Sequence, residues 1–334
     1  MYREFENCKL CEWKCGVNRI NGELGVCRIA LPMVASCQLH PAPPQSYTIF
    51  TAGCNFRCLN CQNYIIAHYP DQKNFPIGYV HPEVIANEAL AMIKSPIGRM
   101  IRADRIFFSG GEPTIHLPYI EEIVKIAREV DPSTKVNFDT NGFLTKESLK
   151  RMLKFTTSIT YDIKAYNEEV HRALTGAPVE PVLRNAEYIA KYAREKLWEF
   201  RILIIPEIID IEEIKDICRF IASLDLNLPV CFLAFRPNFV LDKHRGASLD
   251  LLQAAVEIAH RAGIENAYWA GRSDIRGYNT SFIKEQKQIY KHPGARIAGS
   301  FAHYHGCKTH PRNCGGCSYK HSCSIKSYKP IRRM

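Results

Sequence analysis

No long apolar run occurs in this chain. The longest, "ILIIP" near residue 204, is strand-sized, far short of the roughly 20 residues that cross a bilayer. The opening "MYREFENCKLCEWKC" lacks the apolar stretch of a secretory signal. Internal repeats and low-complexity segments are absent too. These absences predict a cytoplasmic protein with no membrane partner. They leave a chain of 334 residues, 46% hydrophobic, that can build a full core. That length suits one large α/β domain with appendages, or two ordinary domains. The net charge of +10 is read either as a solvated basic surface or as a site for an anionic partner. One absence is local. The stretch "AGCNFRCLNCQN" sets Cys54, Cys58 and Cys61 in a C-x3-C-x2-C spacing and has no fourth cysteine.

Cysteine, in contrast, is abundant at 14 residues. A reducing cytosol disfavours structural disulfides, so metal or cluster binding is the expected use. The cysteines are bunched. Cys8, Cys11, Cys15 and Cys27 form one group, the central triad a second, and Cys307, Cys314, Cys317 and Cys323 a third. Cys218 and Cys231 lie in apolar stretches and read as small buried hydrophobes. Twelve histidines lie mostly outside these groups and read as surface or core residues.

Between the outer groups, short apolar runs alternate with amphipathic segments. Strands are predicted at 46–50, 105–109, 135–138, 158–164, 200–206, 229–235 and 266–271, and helices at 81–94, 117–130, 145–155, 182–196, 211–224 and 248–263. Six βα units imply a parallel sheet with right-handed crossovers. The expected class is α/β, a partial (βα)6 barrel of parallel strands with cysteine-rich N- and C-terminal extensions; a doubly wound open sheet is the competing arrangement. The expected division is a cysteine-rich extension at 1–44, the barrel at 45–271 and a second cysteine-rich extension at 272–334.

Chemistry in parallel α/β folds gathers at the C-terminal ends of the strands. The triad loop follows the first predicted strand, "SGGEPT" the second and "DTNG" the third; "DIK" ends the fourth, Pro206 the fifth and "FRPN" the sixth. A structural zinc site wants four closed ligands. A cubane iron–sulfur cluster normally takes four thiolates. Held by three, it keeps one iron open, which an amine and carboxylate could chelate. The glycines of "GGEP" would let backbone approach that amine, and a lysine at the strand mouth could pair the carboxylate. A cofactor with an amino-acid head is therefore predicted.

The C-x3-C-x2-C loop with its downstream "GGEP" resembles the radical S-adenosylmethionine superfamily, over about 46–271. More narrowly, "GCNFRCLNCQN", "SGGEPT", "DTNGF" and "DIKAYNEEVHRALTG" look like the pyruvate formate-lyase activating enzymes, and the stretch from "CKLCEWKCGVNRINGELGVCR" through "HPAPPQSYTIFTAGC" looks like their uncharacterised relatives. The resemblance implies a [4Fe-4S] cluster on Cys54, Cys58 and Cys61. This cluster passes one electron to S-adenosylmethionine, and the resulting 5′-deoxyadenosyl radical takes hydrogen from the substrate. It further implies that Gly110, Gly111 and Glu112 border the methionine amine and that Asp139, Thr140 and Asn141 contact the ribose or the lip. Asp162 and Lys164 would face the methionine carboxylate or a cation, with Arg201 and Arg236 on the same face. Ordinary alternatives stand beside these roles: a solvated lysine at 164, and an Asn-Gly turn at 141–142. The residue before the third cysteine is usually aromatic or apolar in the family; here it is Asn60, so cover for the adenine is sought from Phe56 or Tyr64.

The C-terminal group, C-x6-C-x2-C-x5-C, partly resembles auxiliary-cluster segments of the superfamily and would hold a second [4Fe-4S] cluster. A zinc knuckle is the alternative, with His305, His310 and His321 nearby. The N-terminal group, C-x2-C-x3-C-x11-C, fits either metal. The basic tail "KSYKPIRRM" is a solvated end or a phosphate contact. Expected partners are a protein or peptide substrate and a one-electron donor such as ferredoxin or flavodoxin. The alternatives are an RNA-modifying radical enzyme acting on tRNA and a non-catalytic iron–sulfur or zinc protein.

Overall fold

The computed structural model describes residues 2–68, 78–272, 290–309, 312–319 and 322–327. His310, His321 and most of the basic tail lie outside the described residues. Within each of two units the strands follow one another in the sheet in chain order. By contact density the chain divides into two units, Met1–Asn55 with Asn63–Tyr161, and Phe56–Gln62 with Asp162–Met334.

In the first unit, β1 (Val34–His40) pairs antiparallel with β2 (Ser46–Thr51). The helices α1 (Tyr64–Ala67), α2 (Pro82–Lys94) and α3 (Pro96–Met100) lead to β3 (Arg105–Gly110). Then come α4 (Leu117–Val130), β4 (Lys135–Thr140), α5 (Lys146–Phe155) and β5 (Ser158–Asp162). Strands β2 to β5 pair in parallel. Their buried runs, such as Ile106 to Ser109, are what a sheet covered on both faces requires. Helix α4 buries Ile120, Ile123, Val124 and Ala127, one helical stripe. Phe108, Phe138 and Phe155 stack in series, with centroids 5.6 and 5.9 Å apart, and each contributes roughly 1.5–3 kcal/mol by burial.

The second unit carries α6 (Glu168–Thr175), α7 (Glu180–Tyr192), β6 (Leu197–Ile204), α8 (Ile211–Leu224), β7 (Val230–Ala234), α9 (Leu249–Arg261), β8 (Ala267–Ala270), α10 (Pro293–Tyr304) and α11 (Ser324–Ser327). Strands β6, β7 and β8 are parallel. Just past β5, the Ile163 N–H donates to Arg201 O in β6 at 3.0 Å. Ser248 caps α9 through the Leu251 N–H. Cys218 and Cys231 are buried, as expected.

The α/β class and the parallel order are those expected, and three elements were not anticipated. After the buried Val34, strand β1 alternates half-buried and exposed residues at the sheet edge, outside the βα rhythm. Helix α6 comes after the "DIK" turn and is opened by Asn167, whose Oδ1 accepts from the Glu169 and Val170 N–H groups. Helix α10 is rich in small residues because it approaches closely: a Cβ on Gly294 would lie 2.6 Å from Ile208 O. The predicted strand at 158–164 ends at Asp162, so Lys164 stands in the loop beyond it.

Candidate active site

In the first unit the ends of β2, β3 and β4 are tied to one another. Gly111 N–H donates to Thr51 O at 2.8 Å and Glu112 N–H to Gly53 O at 2.9 Å, which locks the "GGEP" turn against the start of the triad loop. A Cβ on Gly111 would overlap Gly53 O, and Gly110 sits at φ +113°. Only glycine permits that approach. Beyond the turn, Glu112 is the hub. Its Oε1 accepts from Thr114 N–H at 3.1 Å, Thr114 Oγ1 at 2.7 Å and Thr140 Oγ1 at 2.7 Å. Its Oε2 accepts from Asn141 N–H at 2.8 Å. The carboxyl is buried, and burial pushes it up to about 7 against the lowering pull of those hydrogen bonds. Glu112 therefore turns its carboxylate onto "DTNG", the motif that sequence placed at the next strand end.

Asn141 so held points its amide at the triad loop. Asn141 Nδ2 donates to Asn55 Oδ1 at 2.7 Å and lies 3.8 Å from Cys54 Sγ. Ser109 Oγ donates to Asp139 Oδ2 at 2.8 Å. Beneath, His116 Nε2–H donates to Ala52 O at 2.8 Å, while its Nδ1 faces Arg19 Nη2 at 3.5 Å. Burial, then the Arg19 charge, drive His116 down to about 3. It is a neutral imidazole that fixes the backbone two residues before Cys54.

The second unit holds Cys58 and Cys61. Arg57 N–H donates to Thr175 O at 2.8 Å and Leu59 N–H to Leu174 O at 3.0 Å, so the C-terminal turn of α6 templates this half of the loop. Burial raises the Cys58 thiol, opposed by the charges of Lys164, Arg312 and Arg57. Lys164 Nζ pairs with Asp162 Oδ2 at 2.6 Å. The "DIK" motif and Cys58 thus share one electrostatic neighbourhood. Arg201 is engaged with Glu199 at 2.7 Å, and Arg236 is exposed, its carbonyl accepting from Asn238 Nδ2. Phe56 is buried with its ring edge-on to His171 at 5.4 Å, whereas Tyr64 is only half-buried.

The C-terminal cysteines belong to the same unit as Cys58. Cys314 N–H donates to Gly176 O at 2.9 Å, and a Cβ on Gly176 would overlap Cys314 Sγ. Cys307 and Cys317 Sγ both lie 3.8 Å from Thr309 Oγ1. Arg312, buried between them in sequence, was not anticipated. Its guanidinium donates to Arg57 O at 2.6 Å, Ala173 O at 3.3 Å and Leu174 O at 3.4 Å. Its Coulombic neighbours are Cys314, Cys307, Cys323 and Cys58. Replacing Arg312 with Met should cost about 2–4 kcal/mol, because a buried charged donor is lost. The denaturation midpoint measures that cost, and iron retention should fall with it.

All 14 cysteines are free of disulfides. Among the described residues, no group of three or more His, Cys, Asp or Glu side chains stands close enough together to hold a metal ion. The donor set nonetheless fits a thiophilic cluster at the triad. Three soft ligands share one loop, an amide N–H is aimed at the first sulfur, and the glycine turn beside it admits no side chain.

The sequence profile of the Radical SAM superfamily matches residues 48–221, more than half of the chain. The chain belongs to that superfamily. Membership brings with it a [4Fe-4S] cluster and S-adenosylmethionine. An uncharacterized protein of Methanocaldococcus jannaschii is 27% identical over 260 residues, covering 76% of this radical SAM chain and 73% of its own length. The pyruvate formate-lyase-activating enzyme of Staphylococcus epidermidis is 30% identical over 194 residues, covering 55% and 71%. A crystallised domain of the pyruvate-formate lyase-activating enzyme of Bacteroides vulgatus is similar to 51% of this chain over 100% of its own, with a TM-score of 0.42 and 23% identity. No helix among the described residues is long and apolar enough to cross a membrane.

Proposed function

We propose that this chain is an activating-enzyme-like radical SAM enzyme that abstracts hydrogen from a protein or peptide. Residues 45–271 would be its catalytic part, and 1–44 and 272–334 its cysteine-rich extensions. Cys54, Cys58 and Cys61 would hold the cluster. When bound, the cluster and S-adenosylmethionine supply a reductive cleavage that yields methionine and a 5′-deoxyadenosyl radical. The chain's own residues position and shield. Gly110 and Gly111 present bare backbone where the methionine amine would lie, and the Glu112 hub holds Asn141 against Cys54. That linkage is the observation that carries the proposal. Its parts come from three separate strand ends, and each is a motif the chemistry requires. Lys164, held by Asp162, supplies a cation for the methionine carboxylate; Arg201, paired with Glu199, and Arg236 are further from any such role. The C-terminal cysteines would bind an auxiliary cluster or zinc, and a ferredoxin or flavodoxin would deliver the electron. The activating-enzyme part of the proposal draws on the name of the Staphylococcus relative.

Substrate class can be read isotopically. Protein and RNA fractions from the native cell, grown in deuterated medium, are offered separately to the anaerobically reconstituted enzyme. Deuterium is expected in 5′-deoxyadenosine only with the protein fraction. Transfer from the RNA fraction, accompanied by tRNA binding that weakens steeply with salt, would replace this proposal with the RNA-modifying one.

A further inference from the structure

We propose that Cys8, Cys11, Cys15 and Cys27 bind a single zinc ion, not a cubane cluster, and that the resulting knuckle braces the Asn55–Asn141 contact beside Cys54. The zinc assignment stands apart from the radical chemistry; only the meaning of the brace rests on it.

The first observation is space. The four cysteines line one cavity, together with Leu10, Val17, Arg19, Gly25 and Ile115, and its volume is about 10 Å³. That is about the space of one water, enough for one ion. As it stands, that space is too small for the eight core atoms of a [4Fe-4S] cluster. The thiols ring this cavity without being closed onto an ion, so uptake would draw the sulfurs inward, as in metal-coupled folding.

The second is charge. Arg19 is completely buried. Its guanidinium donates to Ile115 O at 2.6 Å and Ala30 O at 2.7 Å, covers the Phe5 ring at 4.1 Å, and reaches Cys8 Sγ at 3.8 Å. Among the described residues it has no carboxylate partner. A buried cation needs an anion. Four thiolates around Zn²⁺ sum to a net charge of −2, which answers Arg19 where four neutral thiols cannot.

The third is the ligand loop. Cys8 N–H donates to Val17 O and Gly16 N–H to Cys8 O, both at 3.0 Å, which closes the segment into a tight turn. Val26 N–H lies 3.5 Å from Cys15 Sγ, a donor suited to a metal-bound thiolate. A Cβ on Gly25 would stand 2.9 Å from that sulfur, so glycine lets the segment before the fourth ligand pack closely against it.

The segment between the ligands does the bracing. Thr145 N–H donates to Leu10 O at 3.1 Å and Glu12 N–H to Phe143 O at 3.2 Å. Trp13 stacks on Phe143 at 5.1 Å, and its Nε1–H donates to Asn55 O at 2.8 Å. The knuckle therefore grips both loops whose side chains meet at Asn55 and Asn141.

The test is elemental analysis of the full chain, purified anaerobically, with zinc and iron counted per chain before and after cluster reconstitution. C8S/C15S should lose about one zinc per chain relative to the parent and keep the triad iron. C54A/C58A/C61A should do the reverse, and C314A/C317A should leave the N-terminal zinc in place. Cobalt exchanged into the parent protein gives a readout that does not depend on a foldable variant. A tetrahedral tetrathiolate spectrum that persists in C314A/C317A supports the proposal, and R19M should release that metal to chelator at least about tenfold faster. Iron lost in place of zinc from C8S/C15S overturns the proposal, as does zinc unchanged in that variant or disulfides among these four cysteines. Failure of the triad to take iron, with N-terminal zinc intact, would count against the proposed function alone.

Discussion

Replacing Cys54, Cys58 and Cys61 with alanine is expected to abolish formation of 5′-deoxyadenosine from S-adenosylmethionine. The fall should be at least about 10³-fold, because the proposed cluster would be lost with its ligands and the uncatalysed cleavage is negligible. Cys54 is buried, and Asn141 Nδ2 lies 3.8 Å from its sulfur; it is held by the ends of three strands. Cys58 is held by α6 and by Arg312 through Arg57 O. Single substitutions should therefore differ in what survives. Cys54→Ala leaves the Glu112 hub intact, so the variant should fold with parental stability and lack only the chemistry. Asn141→Ala should keep iron but slow the cleavage by about tenfold to a hundredfold, the range for a group that hydrogen-bonds a metal ligand without binding the metal. The measurement is 5′-deoxyadenosine by chromatography, with iron counted on the same sample. A triple variant that still cleaves at the parental rate would remove the triad from the chemistry and with it the proposed function.

Sequence alone located the strand-end motifs because parallel βα alternation has only one end at which loops can gather. Gly110 and Gly111 were legible for the same reason: a doublet after a strand announces close backbone approach. The orientation of Glu112 was not legible. "GGEP" fixes a carboxylate at the end of β3, but nothing in those four letters turns it inward to Thr114, Thr140 and Asn141. Arg19 and Arg312 escaped notice because their partners are backbone carbonyls 96 and 255 residues away in sequence, and no local pattern marks an arginine as buried. Asn55 could have been found. It is the polar residue next to the first cysteine, in a stretch otherwise turned inward. Strand β1 lies outside the βα alternation, where periodicity had nothing to repeat against.

Glu112 should be the residue whose loss unfolds the site. Glu112→Ala removes an acceptor for four donors and opens a cavity, and about 3–5 kcal/mol of stability should go with it. Glu112→Gln separates charge from shape. Its amide oxygen can still accept from Thr114 and Thr140, but its NH₂ would face the Asn141 N–H, donor against donor. The pH dependence gives the sharper test. The folded carboxyl titrates at about 7, above its ordinary value of 4.5. The unfolded chain therefore releases this proton first as pH rises. The stability that the protonated form contributes is full below about 4.5 and is lost on climbing through about 7, on the order of 3 kcal/mol in all. His116 acts in the opposite sense, since its depressed value withdraws stability as pH falls below 6.5 towards about 3. It is common to both proteins, so the difference between parent and Glu112→Gln in denaturant unfolding isolates the carboxyl. That difference should shift against the parent between pH 4.5 and 7, and level off beyond. A difference that stays flat across the window would mean that the Glu112 carboxylate is ionised throughout, held down by the four hydrogen bonds it accepts.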